Sequence, residues 1–304
     1  MNHRRYCGGV IALWIGVVMM GGGCRTGRGG APAWTDPELE RMNEAAQAAV
    51  AAGSPAGAAE LYAAALRRAR VVDDGESIAR LAYNLGICRA QAGDVAGARE
   101  ALHEARAESR PGGELDGLTW LAEARLLRQA GRPREAWEVL ETARRRLGDA
   151  VPKTVRGSLH LLAAGIQADL KDNAAARDEL TRAQAGLARV DAADPRLAAE
   201  AAGLDGELLA RDHQYLEAAR AFDHEAERWR TARDYAAMSA ALARAGRAYA
   251  RAGRDESAAD RYFRAARSRR NAGAGDTPEA REWLARAREC AEKAGWKDGL
   301  DRMR

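Results

Sequence analysis

The sequence predicts an all-α protein in which about six antiparallel helix pairs stack into an α-solenoid, followed by a C-terminal capping helix. Three observations lead to this prediction: the composition, an internal repeat of about 40 residues and the positions of the prolines. Of the 304 residues, 72 are alanine, the strongest helix former, and only 2 are phenylalanine. β-Branched residues are sparse, which excludes β-sandwiches, β-barrels and large parallel sheets. The 30% of charged residues excludes a protein that crosses a membrane many times.

Residues 1–23 have the pattern of an export signal. Arg4 and Arg5 precede an unbroken run of 11 apolar or glycine residues at positions 10–20, and three glycines then lead to Cys24. The run is shorter than the roughly 20 residues that a membrane-spanning helix needs. The segment is therefore expected to direct export rather than to span a bilayer.

This segment resembles the signal of bacterial lipoproteins. The resemblance implies that the chain is cleaved before Cys24, that the Cys24 thiol is lipidated and that Cys24 becomes the mature N-terminus. The segment departs from the family at Gly21, where leucine is usual. The alternatives are ordinary secretion with cleavage after Ala33 and an uncleaved anchor.

Residues 24–35 form a glycine-rich tether. Its eleven residues after Cys24 reach at most about 35–40 Å when extended, so the folded part would stay near the membrane surface. Because residue 25 is arginine rather than aspartate, the resemblance implies anchoring at the periplasmic face of the outer membrane.

The formal charge of +4 falls to about +2 without Arg4 and Arg5, so the charge gives no indication of nucleic acid as a partner.

The rest of the chain repeats itself at spacings of 38 to 42 residues. Each unit has a key alanine, a small residue twelve positions before it and a large residue four positions after it. The key alanines are Ala58, Ala98, Ala136, Ala176, Ala218 and Ala258; the small residues are Ala46, Gly86, Ala124, Ala164, Gly206 and Gly246; the large residues are Tyr62, Leu102, Leu140, Leu180, Phe222 and Tyr262. We expect two helices per unit that cross closely at the small residues, with the large residue filling the gap between units.

Prolines mark the predicted helix starts. A capping residue precedes a proline at the first helical position in Asp36-Pro37, Ser54-Pro55, Asp194-Pro195 and Thr277-Pro278. After the sixth unit, residues 271–276 break the helical pattern. Residues 276–296 then predict one more amphipathic helix, which we interpret as a cap that gives the end of the stack a polar outer face.

Over residues 36–271 the repeat resembles the tetratricopeptide-repeat family. This resemblance implies a right-handed superhelix of antiparallel helix pairs, whose concave groove holds extended peptides or partner helices. Two features depart from the family. The period is about 40 residues rather than 34. The fifth unit has His213 in place of the turn glycine and Glu225 where the other units have alanine.

The sequence contains no set of polar residues that would support catalysis. Two His-Glu pairs, at 103–104 and 224–225, lack the second histidine four residues after the first that a zinc-binding helix requires. Phosphate-binding loops and nucleophile elbows are also absent from the sequence. Cys88 and Cys290 fit buried apolar positions rather than a disulfide framework. We therefore expect no enzyme activity, no metal and no cofactor.

The first helix of each pair also carries a stripe of residues turned away from its predicted packing face. By the family resemblance these stripes line the concave groove. The candidate groove residues are Arg80, Tyr83, Gln91, Arg125, Arg128, Gln129, Arg211, Arg247 and Arg251. So many arginines with few acids suit an acidic segment or a C-terminal carboxylate. The alternative interpretation is the codon bias of a GC-rich genome, since the chain has 44 arginines and only 4 lysines.

Together these patterns predict a membrane-tethered protein–protein interaction scaffold of the bacterial cell envelope. Its partners would be envelope proteins, recognised through acidic or C-terminal segments. One alternative is a structural protein that assembles end to end through its terminal units. Another is an enzyme, for which the sequence offers no catalytic residues.

Overall fold

The computed structural model describes residues 36–148, 153–187 and 194–303, and this part of the chain consists of helices and turns without a strand. The helices are α1 Pro37–Ala51, α2 Pro55–Val71, α3 Gly75–Gln91, α4 Val95–Glu108, α5 Glu114–Gln129, α6 Pro133–Leu147, α7 Lys153–Asp169, α8 Asn173–Leu187, α9 Pro195–Arg211, α10 Tyr215–Thr231, α11 Tyr235–Arg251, α12 Asp255–Arg269, α13 Pro278–Ala294 and α14 Lys297–Arg302. A π-helical turn, Arg270–Ala274, follows α12. The predicted signal, the tether and Cys24 lie outside the described residues.

The chain divides into two compact units, one ending at Val155 and the other beginning at Arg156. In the first unit each helix from α1 to α5 packs against the next, and α3 also contacts α5. In the second unit each helix from α8 to α14 packs against the next. Helices joined by short turns run antiparallel. The predicted helix pairs are thus α1/α2, α3/α4, α5/α6, α7/α8, α9/α10 and α11/α12.

The helix crossings predicted from the repeat are present in the structure. All six key alanines are completely buried. A Cβ atom added to Gly86 would lie only 2.8 Å from Leu102 Cγ, and one added to Gly206 only 2.7 Å from the Phe222 ring. The large residue therefore packs on the small residue of its own pair. The large residue also reaches the next unit, as the repeat predicts, because Phe222 clusters with Ala245 on α11 and Tyr262 clusters with Cys290 on α13.

The turns within the pairs use the same backbone conformation. Their middle residue has a positive φ, and in four turns it is a glycine: Gly53, Gly93, Gly131 and Gly253. In the fourth and fifth pairs Lys171 and His213 take this position, with φ of 71° and 62°. A left-handed conformation costs a non-glycine residue roughly 1–2 kcal/mol, so the stacking of the helices, rather than the local sequence, fixes these two turns.

The predicted C-terminal cap is longer than the sequence indicates. Its main helix is α13, which begins at Pro278 after Thr277 and ends at Ala294, where Gly295 caps it with a φ of 66°. The short helix α14 follows it, beyond the predicted bounds of the cap. Met303 is buried, and the Arg288 guanidinium donates a hydrogen bond of 2.6 Å to its carbonyl oxygen. The cap therefore extends beyond residue 296, where the prediction ends it, because α14 folds back on α13.

Cys88 and Cys290 are buried free thiols, in agreement with the sequence analysis. Burial raises the pKa of the Cys88 thiol to about 11, which keeps it protonated and unreactive at neutral pH.

Across the described ranges, no helix combines the length and the apolar character needed to cross a bilayer.

Replacing Gly86 by leucine should lower the free energy of unfolding by about 1–3 kcal/mol. The new side chain would meet Leu102 and also the Ala98 carbonyl oxygen, which lies 3.2 Å from the Cβ position and cannot move without shifting α4. Urea unfolding followed by circular dichroism measures the change. Ala96→Leu on the exposed side of α4 is the control and should stay within about 0.5 kcal/mol of the wild type. Equal stabilities of the two variants would contradict the close crossing.

Candidate protein-binding groove

One predicted groove residue, Tyr83, lies in the core. Its side chain on α3 is completely buried in a cluster that includes Leu66 and Leu102, and burial raises the pKa of its hydroxyl. The prediction that Tyr83 lines a groove is therefore wrong. The physical reason is that α3 packs against α2, α4 and α5. As a result, 11 of its 17 residues are buried and little of its circumference faces solvent.

The other candidates of the first unit reach the surface. Arg80, Arg125 and Arg128 are half-buried, whereas Gln91 and Gln129 are exposed. The Arg80 guanidinium donates a hydrogen bond of 3.3 Å to the Ser77 hydroxyl. Gln91, Arg125 and Arg128 also have interaction partners within the protein. These five residues remain sequence-based candidates.

In the second unit three predicted residues, Arg211, Arg247 and Arg251, come together. They line a cavity of about 500 Å³ between α9, α10 and α11. Arg247 and Arg251 also line an adjoining cavity of about 410 Å³ that extends to α13. We call the two cavities together the arginine groove. Its cations are Arg211, Arg244, Arg247, Arg251 and Arg286.

The helical repeat of α11 places three of these cations on one face. Arg244, Arg247 and Arg251 are three and four residues apart, so their side chains project from the same side of the helix. Like charges at this spacing repel each other and destabilise an isolated helix by a few tenths of a kcal/mol. Their clustering therefore does not stabilise α11.

Arg247 and Arg251 are exposed and have no acidic partner within the described ranges. Arg247 lies beside Tyr262 in the 410 Å³ cavity, and its positive charge opposes the burial that raises the pKa of the Tyr262 hydroxyl. The guanidinium of Arg251 lies 5.5 Å from the centre of the Tyr215 ring. Neither guanidinium forms an ion pair with a described acid, and the acids that line the two cavities are Glu207 and Glu282.

Arg211 and Arg286 are more constrained. Arg211 donates hydrogen bonds to the Ala168 carbonyl oxygen at 2.7 Å and to Asn173 Oδ1 at 3.3 Å. Arg286 lies 3.6 Å from the carboxylate of Glu289. The apolar lining of the groove comes mainly from aromatic rings, namely Tyr215, Phe222, Tyr262 and Trp283. Arginines over aromatic rings offer a surface for an acidic segment that also carries apolar side chains.

A buried acid lies beneath the groove. Glu225 on α10 is only 3% exposed, and its Oε1 accepts hydrogen bonds from Arg244 and, at 3.0 Å, from Trp229 Nε1. Its other oxygen, Oε2, has no hydrogen-bond partner among the described residues. Burial raises the pKa of Glu225, and the nearby charge of Glu207 raises it further, against the opposing effect of Arg244 and Trp229.

The space for Glu225 comes from a glycine on the facing helix. A Cβ atom added to Gly203 on α9 would lie 2.8 Å from the Glu225 carboxyl carbon. Gly203 lies fifteen residues before the key alanine of its unit, where the second, third and fourth units have Tyr83, Leu121 and Leu161. The fifth unit thus exchanges a large residue on the first helix for a large residue on the second. This pairing could have been found in the sequence by comparing the two positions together.

The histidines and acids of the described residues do not suggest a metal centre. The structure places no group of three or more His, Cys, Asp or Glu side chains around a common point in these ranges. His213 Nδ1 lies 2.7 Å from the Tyr215 hydroxyl, and His160 Nδ1 lies 2.7 Å from Glu179 Oε2. Both histidines therefore have ordinary hydrogen-bond neighbours.

Comparison with solved structures defines the class of fold. The chain matches no protein-family model and no curated protein. It is similar to the apo form of RapI, with a TM-score of 0.63 and 8% identity over 86% of this chain and 74% of that one. It is also similar to a Rap protein complexed with Competence and Sporulation Factor, with a TM-score of 0.56 and 12% identity over 88% of this chain and 74% of that one.

A third similar structure is PilF of Pseudomonas aeruginosa, with a TM-score of 0.53 and 16% identity over 81% of this chain and 96% of that one. These structures are of the tetratricopeptide-repeat type. The chain therefore has the tetratricopeptide-repeat fold that its repeat resembles.

The raised pKa of Glu225 predicts a pH dependence of stability. Between the ordinary glutamate pKa and its higher folded value, the folded protein binds more protons than the unfolded chain, so this residue's contribution to stability falls as the pH rises. Glu225→Gln removes the titration and leaves all other groups in place. Urea unfolding across a pH series should show the wild type losing stability relative to the variant from about pH 4.5 upwards. A difference that does not change with pH would rule out the raised pKa.

Proposed function

We propose that the protein is a protein–protein interaction scaffold that binds an acidic segment of a partner protein in the arginine groove. The observation that carries this proposal is the pair Arg247 and Arg251, two exposed cations without acidic partners in the described chain, shared by two adjoining cavities. A carboxylate is the ligand that forms charge-assisted hydrogen bonds with such guanidinium groups.

The fold supports an interaction role. Stacked helix pairs present extended surfaces formed by many units, which suits binding of a chain segment rather than a small substrate. One similar structure contains a Rap protein complexed with Competence and Sporulation Factor. The aromatic rings of Tyr215 and Trp283 beside the cations favour a segment in which acidic residues alternate with apolar ones.

End-to-end assembly is the weaker alternative. Such stacking would need an apolar face at the end of the solenoid. At the C-terminal end, α13 and α14 cover the last pair, and Met303 is buried beneath them. The outer residues of α14, including Lys297, Asp298 and Asp301, are charged and exposed.

Reversing the charge of the groove should abolish partner binding. In Arg247→Glu/Arg251→Glu the groove would repel a carboxylate, while the fold should be retained because both side chains are exposed. The measurement is capture from envelope extract, followed by titration of each captured protein in purified form. Arg220→Glu/Arg228→Glu on α10 changes the net charge equally outside the groove and should bind as the wild type does. Retention of every partner by the folded groove variant would refute the proposal.

We also propose that the protein is exported and anchored to the bacterial envelope through a lipidated Cys24, at the periplasmic face of the outer membrane. The support is the sequence alone: a short apolar run, three glycines and a cysteine. Labelling cells with a fatty-acid analogue should tag the wild type and Cys7→Ser, because Cys7 lies in the part that is removed. The same label should be lost from Cys24→Ser. Equal labelling of all three proteins would exclude lipidation at Cys24.

A further inference from the structure

Arg244 is the groove cation whose charge is shared with the core. Its Nη1 donates to Glu207 Oε1 at 3.1 Å, and its Nη2 donates to Glu225 Oε1. Its guanidinium lies 5.1 Å from the centre of the Phe222 ring, and one third of its side chain is exposed to the 500 Å³ cavity. One cation thus faces two carboxylates, one at the rim of the groove and one buried beneath it.

The buried carboxylate has an incomplete environment. Glu225 Oε2 is enclosed against Gly203 and accepts no hydrogen bond from a described residue, whereas Oε1 accepts two. An ionised carboxylate in this position leaves one oxygen unsatisfied, which is costly in a buried site. A proton on Oε2 removes the buried negative charge and leaves Oε1 able to accept both hydrogen bonds.

We propose that protonation of Glu225 regulates the affinity of the arginine groove for anions. When Glu225 is ionised, Arg244 is balanced by two carboxylates and adds no net positive charge. When Glu225 takes up a proton from solvent, Arg244 keeps only Glu207 as counter-charge. The net charge of these three side chains, and with it that of the groove, becomes more positive by one. This inference rests on the proposed function in that it assigns an anionic ligand to the same groove. The raised pKa of Glu225 agrees with it, because uptake of the proton then occurs above the usual glutamate range.

The groups that face Glu225 come from three helices. Glu207 and Gly203 lie on α9, Trp229 lies on α10 itself, and Arg244 lies on α11. His213 lines the same cavity, so its imidazole must be absent from any pH-dependent measurement of the groove. All measurements therefore use His213→Asn as the parent, since asparagine tolerates the positive φ of this turn.

The experiment measures sulfate binding by titration of the arginine Nε–H signals in NMR spectra, in a pH series from neutral pH down to the ordinary glutamate pKa of 4.5. In the parent, sulfate affinity should rise as the pH falls. Glu225→Gln in this background should bind about fivefold more tightly or better at the upper pH and show little further change. The affinity of the parent should approach that of the variant as the pH falls.

A second variant separates charge from packing. Glu207→Gln removes the other counter-charge of Arg244 at an accessible position, so it should raise sulfate affinity and keep the pH dependence. Equal affinities and pH profiles of the parent and Glu225→Gln would overturn the proposal, as would a pH dependence that persists in Glu225→Gln. Absence of sulfate binding in all variants would overturn it too. If Glu225→Gln does not fold, loss of pH dependence in Glu225→Ala, which restores the alanine of the other units, decides the question.

An acidic peptide tested in parallel distinguishes this inference from the proposed function. The probe is a labelled peptide of alternating glutamate and leucine, measured with the parent and with Arg247→Glu/Arg251→Glu. Regulated sulfate binding without peptide binding would support the regulation and refute the peptide-binding function. Peptide and sulfate binding that are both insensitive to Glu225→Gln would retain the function and refute the regulation.

Discussion

The structure depends on helices that cross so closely that only small residues fit at the crossing points. At Gly86 and Gly206 a single added methyl group would come within 3 Å of a side chain of the second helix. The six key alanines are completely buried for the same reason. Close approach gains dispersion contacts along the whole helix, and the gain is lost if either helix is pushed outward. This constraint favours alanine at the crossing points of a chain that is almost one quarter alanine.

Close stacking also decides which residues can meet a ligand. A first helix such as α3 is covered by its own partner and by the neighbouring pairs. The side chains in its middle are therefore buried in the core. Only long side chains, or residues near the helix end, reach past the stack. Arg247 and Arg251 meet both conditions, since they lie in the last two turns of α11. The groove is therefore defined by guanidinium groups with aromatic rings beneath them.

Much of this arrangement can be predicted from the sequence because each prediction depends on local spacing. The helix pairs, the buried key alanines and the helix starts at Pro37 and Pro278 follow from residues close together in the chain. The burial of Tyr83 does not follow from local spacing, because it depends on neighbouring pairs and not on the face of its own helix. In the sequence Glu225 is only a departure from the repeat. Its partner Gly203 lies 22 residues earlier and becomes meaningful only when α9 and α10 are seen to cross. The helix α14 was too short to produce a periodic pattern.

The arginine content raises the question of whether the groove reflects composition alone. Codon bias would place arginine on every solvated face, and a helix C-terminus favours arginine by about 0.3–1 kcal/mol. These two effects account for Arg211 and Arg251, each the last residue of its helix. Many other arginines are balanced by acids, as Arg70 is by Glu104 and Arg261 by Asp223.

The preference of a helix C-terminus for arginine does not explain Arg247. It lies one turn before the end of α11, repels its neighbours on the same face, lines both cavities and forms no ion pair with a described acid. A residue that adds charge repulsion without a compensating ion pair is unfavourable for folding alone. Arg244 on the same face is instead balanced by Glu207 and the buried Glu225. The contrast between these two arginines, three residues apart on one helix, is the strongest reason to assign the groove a ligand of opposite charge.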